Sequence, residues 1–471
     1  GNKPDFRLAR IPELGLDLVK DCRGATHMAY STAQKRIWGW WWFDWASQPY
    51  NTLLITFIFG PYVVSVVGDG SRAQAVWGYG IGLAGIVLAL LAPFLGAVAD
   101  KSGKRMGFIW FFSLLYVIGA FGLWWSAPDG FNIWQVMIFF CIGLIGMEFA
   151  TIFTNAMLPD LAPREDIGRI SGSGWAWGYV GGLIALIAML ALFAEGAGGT
   201  TLIGIAPLFG LDAAAREGTR FVGPLTAIWF IVFMIPFFLW VRDPKYPGAV
   251  SIAEAVRGAW PELRGTLASL PRQRSLFAFL GSSMFYRDAL NGVYTFGGIY
   301  AAGVLNWSVI DVGIFGILAV ASGALFAWLG GKADSRFGPK PVILFNVLVL
   351  AIAALAIVFV SRQSVFGISV ADTSSLPDIT FYVIGAIVGA GGGSLQAASR
   401  TMMVRQGDTA KMTEGFGLYA LSGKATAFLA PLSIGFVTDM TGSQQWGILP
   451  VTVLFMIGLL LLAFVTPEGQ E

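Results

Sequence analysis

Five charged residues stand inside otherwise apolar stretches: Asp44, Glu148, Arg287, Asp288 and Lys424. A charge at mid-bilayer costs about 2.5–3.5 kcal/mol on insertion scales, and such residues face a cavity or a partner. Three kinds of chemistry are open to them. A carboxylate can take up and release a proton, an acid and a base can hold each other, and either can hold an opposite charge on a small molecule. Three acids against two bases leave one carboxylate without a dedicated cation. Asp44, within "WGWWWFDWASQPYN" (38–51), is the candidate. The reading favoured is proton coupling through Asp44 or Glu148, with Arg287 and Lys424 holding anionic substrate groups or the empty-state carboxylates. Structural pairing is the alternative, Glu148 with Arg287 and Asp288 with Lys424.

Neighbours at helical spacing extend these charges into polar stripes. Asp44, Gln48 and Asn51 share one face, as do Glu148, Thr151 and Asn155. Arg287, Asn291 and Tyr294 form a third stripe, and Gln396, Ser399 and Arg400 a fourth. On apolar helices such stripes imply contact with water or substrate. At about 1.5 Å per residue, Glu148 and Lys424 lie about 15 Å from the nearest helix end, Arg287 about 20 Å and Asp44 about 12 Å. Trp38 to Trp42 read as an aromatic belt at the headgroups.

The elements that must carry these stripes are transmembrane helices. The chain has 471 residues, 56% hydrophobic and only 12% charged, against about 25% charged in soluble proteins. Twelve apolar segments approach or exceed the roughly 20 residues a span needs: 37–67, 74–98, 106–126, 132–157, 170–194, 222–241, 276–303, 309–331, 341–360, 378–399, 412–437 and 446–465. The expected class is an all-α polytopic membrane protein with twelve transmembrane helices in two pseudo-symmetric six-helix halves. Its parts are a cytosolic tail (1–36), a first half (37–241), a polar linker (242–275) with a short amphipathic helix, and a second half (276–466). With both termini cytoplasmic, only Arg72, Arg216, Arg220 and Arg362 of the 30 Lys and Arg fall in external loops, and Arg287 and Lys424 fall inside spans. The rest lie on the cytoplasmic side, which fixes the orientation. The chain opens on Gly, so residues 1–27 are read either as an extension before Met28 or as a native tail.

Several chemistries find no residues. No GK[ST] phosphate loop is present, which argues against an ATP-driven pump. The single histidine, His27, precedes the spans, and Cys22 and Cys141 have no metal or disulfide spacing. The expectation is a non-enzyme with no cofactor, metal or nucleic-acid partner.

Two loops repeat one pattern at corresponding points. "GAVADKSGKR" runs from Gly96 to Arg105 and "GGKADSRFGPK" from Gly330 to Lys340, each with Gly four residues before Asp. Gly96, Asp100, Gly103 and Arg105 match the G-x-x-x-D-x-x-G-x-[RK] loop of the major facilitator superfamily, which the chain resembles. Four blocks narrow the resemblance to the vacuole-effluxer-like branch: "FDWASQPYNTLLITFIFGPYV", "NAMLPDLAPREDIGRISGSGWAWGYVGG", "LFGLDAAAREG" and "LQAASRTMMVRQGDTAKMTEGFGLYALSGKATAFLAP". The superfamily resemblance implies that spans 1, 4, 7 and 10, which carry the stripes, line a central cavity. It also implies a gate at the loops, with Asp100 accepting from a helix N-terminus of the other half or pairing with Arg105. Asp334, with Arg336 or Lys340, is a degenerate counterpart.

The function expected is secondary active transport by alternating access of a small polar or zwitterionic metabolite. An amino acid comes first, with efflux as the branch's implication. The setting is a bacterial cytoplasmic (inner) membrane, the partners are the lipid bilayer and protons, and the state is monomeric. An amphiphilic or lipid-like substrate, and a non-transporting membrane scaffold or assembly factor, are the alternatives.

Overall fold

The computed structural model describes residues 14–67, 70–196, 198–244, 248–307 and 309–469. Of the expected tail, residues 1–13 lie outside these, and the chain is already helical from Leu14. Eleven helices among the described residues are long and apolar enough to cross a membrane. They are α1 (Thr32–Val67), α2 (Gly80–Ser102), α3 (Arg105–Trp125), α4 (Ile133–Asp160), α5 (Ile167–Leu192), α6 (Glu217–Trp240), α8 (Ile314–Phe337), α9 (Pro339–Val358), α10 (Leu376–Gln406), α11 (Thr409–Thr441) and α12 (Gln444–Leu462). The twelfth, α7 (Arg274–Val304), has 31 residues, about 46 Å of helix. Its polar stripe at Arg287, Asp288 and Asn291 dilutes its hydropathy. The chain is an all-α integral membrane protein.

Helix α5 packs along α1, and α2 and α3 both pack on α4; among the last six helices, α8 and α9 pack on α10, and α7 and α9 on α12. The two sets meet chiefly through α5 against α8 and α2 against α11. Glycine makes both contacts close. A Cβ at Gly172 would lie 2.5 Å from the Ala327 carbonyl oxygen and from Gly331 Cα, and one at Gly96 would lie 2.6 Å from the Thr413 carbonyl oxygen. Glycine recurs every fourth residue on α5 (Gly174, Gly178, Gly182) and on α10 (Gly385, Gly389, Gly393), and these ladders serve α1 and α8 in turn: Gly178 faces the Asp44 backbone, and Gly393 the backbone of Gly323.

Two irregularities shape the interior. Pro49 has no N–H for the Trp45 carbonyl, and Trp229 Nε1 donates to that oxygen instead, at 3.3 Å. Beyond the proline, α1 widens to a π-helix over Tyr50–Phe57, with Ile58 N–H donating to Leu53 O five residues back. Helix α11 is two pieces, Met412–Ala425 and Leu429–Thr441. Pro431 cannot donate to the residue 427 carbonyl and crowds it, so the helix breaks just before.

The linker folds as an amphipathic helix, Ile252–Ser269. Ser251 Oγ accepts from Glu254 N–H at its start, and Ala255 and Ala259 bury against Ala97 and Val98 of α2. A small three-stranded antiparallel sheet (360–369) between α9 and α10 has no counterpart in the sequence reading.

Candidate functional site

Arg400 organises the first cluster, and it corrects two expectations. Its segment was expected to end at 399, with Arg400 in a cytoplasmic loop. Instead α10 runs on to Gln406, and Arg400 is a buried intramembrane charge. Asp44 is therefore not the odd carboxylate, because Arg400 Nη1 lies 3.1 Å from its Oδ2. The same nitrogen donates to Asn155 Oδ1 at 3.1 Å, Nε to Ser171 Oγ at 2.9 Å, and Nη2 to the Ser171 carbonyl at 2.6 Å. The guanidinium carbon sits 4.4 Å from the Trp40 ring centroid and 5.7 Å from that of Trp175. One side chain of α10 thus holds α1, α4 and α5 at once. Gly174 makes room for it: a Cβ there would meet Asp44 Oδ2 at 2.6 Å.

Trp40 departs from the belt reading for the same reason. It is fully buried, and its Nε1 donates to the Thr154 carbonyl at 2.8 Å. Trp38, Trp42 and Trp45 join Trp177, Trp229 and Phe233 in an aromatic cluster between α1, α5 and α6.

The second cluster lies deeper. Lys424 Nζ donates to Glu148 Oε1 at 2.9 Å, joining α11 to α4. This replaces both expected pairs, Glu148 with Arg287 and Asp288 with Lys424. The two side chains are 31% and 26% exposed, so the pair meets open space while closing a contact between the two helix sets. Lys424 stands in the last turn of the first piece of α11, where the helix dipole favours a cation. Arg287 donates from Nη1 to the Tyr419 carbonyl at 2.9 Å and lies over the Tyr419 ring at 4.2 Å. It packs on Gly423, one residue from Lys424. Asp288, one residue further, turns away into the core. Its Oδ2 accepts from Ala430 N–H at 2.9 Å, capping the second piece of α11, while Oδ1 has no hydrogen-bond partner among the described residues.

The remaining stripe residues divide. Asn291 and Tyr294 are exposed. Gln396 Nε2 donates to the hydroxyl of Tyr179 on α5 at 3.1 Å, which brings Gln396 toward the first helix set. Gln48 packs toward Gly182, and Asn51 gives its carbonyl to the Thr56 hydroxyl. Asp44 and Asp288 each stand six residues before a tyrosine, Tyr50 and Tyr294, but the likeness does not extend to burial. Tyr50 is fully buried with its hydroxyl on the Phe140 carbonyl at 2.6 Å, whereas Tyr294 is exposed.

At the loop end both expected roles of Asp100 occur together. Asp100 Oδ1 accepts from Thr413 N–H at 3.2 Å, Thr413 Oγ1 at 2.5 Å and Arg105 Nη2 at 3.0 Å, and Oδ2 accepts from Glu414 N–H at 2.9 Å. A carboxylate of α2 thus caps the N-terminus of α11, as the helix dipole favours. Buried Arg105 also donates from Nε to Thr413 Oγ1 at 2.8 Å and from Nη1 to Asp160 at 2.9 Å. Gly103 takes φ +64° in the turn, a conformation glycine adopts at low cost. Next to it, Asp243 caps α3 through Met106 N–H at 3.1 Å. Burial pushes the Asp243 carboxyl above the ordinary carboxylate range, and that hydrogen bond offsets part of the rise.

The second loop departs from its expected pairing. Asp334 is buried against Gly168 at the start of α5, and the N–H of Arg169 goes to Ser335 Oγ at 2.8 Å. Arg336 lies over Phe337 at 5.3 Å, and Lys340 Nζ donates to the Val465 carbonyl at 2.6 Å. No cation of that loop reaches Asp334 among the described residues. The two loops still share a geometry, each placing its Asp at the start of a helix in the opposite set. Together with the Arg400 cluster they bridge the two helix sets at the loop end.

Comparison with known proteins agrees with this architecture. The family model for vacuole effluxer Atg22-like proteins matches residues 61–469. An uncharacterized MFS-type transporter of Bacillus subtilis, YxiO, is 25% identical over 435 residues, 91% of this chain and 94% of that protein. Autophagy-related protein 22 of Cryptococcus neoformans is 23% identical over 309 residues, and the alignment spans only 50% of its length. Among solved structures, the major facilitator transporter FucP superposes with TM-score 0.68 at 14% identity, covering 93% of this chain and 99% of its own. The proton:xylose symporter XylE does so with TM-score 0.64 at 13% identity, covering 93% and 98%. The chain has the major facilitator fold and belongs to the vacuole effluxer Atg22-like family of transporters.

Proposed function

We propose that this protein is a secondary active transporter that works by alternating access and carries a small zwitterion, an amino acid first, out of the cell. The observation that carries this reading is the half-exposed Glu148–Lys424 pair, with Arg287 packed one residue away on Gly423. An amino acid brings one ammonium and one carboxylate. Inserted between the pair, it gives Glu148 a cation and Lys424 an anion, so no buried charge loses its partner. A neutral solute would leave the pair closed. Glu148 can also be neutralised by a proton, but not by a proton and an ammonium together. That competition is the basis of exchange, in which an entering proton releases the substrate.

In this reading the halves are 37–241 and 276–466, hinged about the 242–275 linker. Asp44 serves the closure rather than the substrate, with Arg400 as its counter-charge. The loop end faces the cytoplasm, because the Lys and Arg excess lies there. The described state is then closed to the cytoplasm, in the cytoplasmic membrane of a bacterium, as a monomer. The test is transport of radiolabelled amino acids by the purified protein in liposomes with an imposed pH gradient. Glu148→Gln should abolish gradient-driven movement and keep the fold. Unchanged gradient-driven transport in Glu148→Gln would refute proton coupling through Glu148. Failure of every amino acid to move or to stabilise the wild type would refute the substrate class.

A further inference from the structure

The segment between α5 and α6 has no part in the site, yet its composition and placement are specific. From Gly196 to Leu211 it reads "GAGGTTLIGIAPLFGL", without one charged residue. Its tip is apolar and outward: Leu202 is 75% and Phe209 79% exposed, and Ile203 is exposed with them. Its base, in contrast, is charged and tied down. Buried Glu195 accepts from Arg216 Nε at 2.7 Å, from Thr219 N–H at 2.9 Å and from Thr219 Oγ1 at 2.6 Å. Arg220 Nη2 donates to the Trp124 carbonyl at the end of α3, at 2.8 Å.

The backbone sets the depth of the tip. Leu202 N–H donates to the Leu190 carbonyl at 3.0 Å, so Leu202 is level with the last turn of α5 and does not project into water above it. Thr201 N–H donates to Ile205 O at 2.8 Å, and Gly204 N–H to Thr201 O at 2.9 Å. The chain therefore turns sharply beside the helix end. Exposed Ile184 and Ile187 on α5 continue the same apolar surface toward mid-bilayer, and exposed Trp125 and Trp134 mark the same membrane boundary on α3 and α4. An apolar, uncharged turn held at the level of a transmembrane helix end lies where headgroups meet acyl chains.

We propose that this turn is a lipid-inserting wedge, with Leu202, Ile203 and Phe209 in the headgroup–acyl boundary of the leaflet opposite the Asp100 loop. Its partner is the bilayer itself. Interfacial segments of this kind bury their apolar face about 5–10 Å into that boundary. The clamp at Glu195 then fixes the first helix set to one leaflet at this end.

Nitroxide labels test this. Leu202→Cys, Phe209→Cys and, as the aqueous control in an exposed loop of the same face, Asp129→Cys are made in full-length protein with Cys22 and Cys141 replaced by serine. The labelled protein is reconstituted in phosphatidylcholine–phosphatidylglycerol vesicles. Collision with oxygen, which concentrates in lipid, is compared with collision with a water-soluble nickel chelate. The wedge requires oxygen to exceed nickel at 202 and 209 and the reverse at 129. Nickel access at 202 and 209 equal to that at 129 would overturn it, leaving a water-facing patch. Spin–spin broadening between labels on different copies would also overturn it, in favour of a self-association surface.

Discussion

Removing the Arg400 guanidinium is the sharpest test of how this protein closes. The group makes an ion pair at 3.1 Å, three further hydrogen bonds at 2.6–3.1 Å and contacts with two indole faces. Its partners lie on three helices of the first set. Deleting one member of a buried pair strands the other, at about 3–5 kcal/mol. Opening the loop end lets Asp44 reach water, so the closed state bears nearly all of that cost in Arg400→Ala. The ratio of closed to open should then fall by a factor of about 10²–10⁴. Asp44→Asn keeps an acceptor and loses only the charge, so about 1.5–3 kcal/mol is at stake. Spin labels at Lys104→Cys and Asp408→Cys, exposed on opposite helix sets at the loop end, report the change as a distance distribution. Arg400→Ala should move most of the population to longer distances and Asp44→Asn a smaller share. The double variant should shift less than Arg400→Ala alone, because Asp44→Asn removes the stranded charge. If both single variants keep the wild-type distribution, the cluster is passive packing and the reasoning fails.

Three further outcomes follow from the same geometry. Gly174→Ala places a methyl where Asp44 Oδ2 lies; a cost of about 1–3 kcal/mol should lower thermal stability and lengthen the 104–408 distance, whereas Gly107→Ala, in open space, should change neither. Asp100→Ala removes the cap of α11 and a partner of Arg105, so the closed state should lose about 0.5–2 kcal/mol, read as a shift of the 104–408 distribution toward longer distances. Lys424→Met strands Glu148, and substrate should no longer protect the protein from heating; Asp288→Asn, which retains the acceptor for Ala430 N–H, should keep that protection.

Much of this arrangement is present in the pattern of residues, and the exceptions have physical reasons. The spans, the orienting charges and the loop motif are local signals, and helical spacing finds the stripes. Arg400 was lost because an arginine after an apolar run ordinarily marks the water boundary. Two signals pointed the other way: Gln396, Ser399 and Arg400 share a helix side, and three acids with two bases imply an uncounted cation. The partner choice of Glu148 could not be read, because spacing along a helix fixes which face a residue occupies but not which face of another helix meets it. Trp40 shows the same limit. Its type suited the membrane boundary, but only the packing of α1 against α4 places it beneath a guanidinium.

The break in α11 has a mechanical meaning. Its first piece is locked to α2, where the carbonyl of Ala92 lies 2.6 Å from the position a Cβ on Gly417 would take and Asp100 seals its first turn. Its second piece is tethered to α7 by Asp288. An unbroken rod would transmit every rotation of one body rigidly into the other. A joint at 426–428 lets the two pieces bend independently, so in the proposed rocking motion torsion would gather in three residues. In the proposed alternating-access cycle the loop end could then swing without dragging the second piece, and the residues that set the joint's stiffness, Asp288 and Pro431, lie outside the Arg400–Asp44 and Glu148–Lys424 ion pairs that bridge the two helix sets.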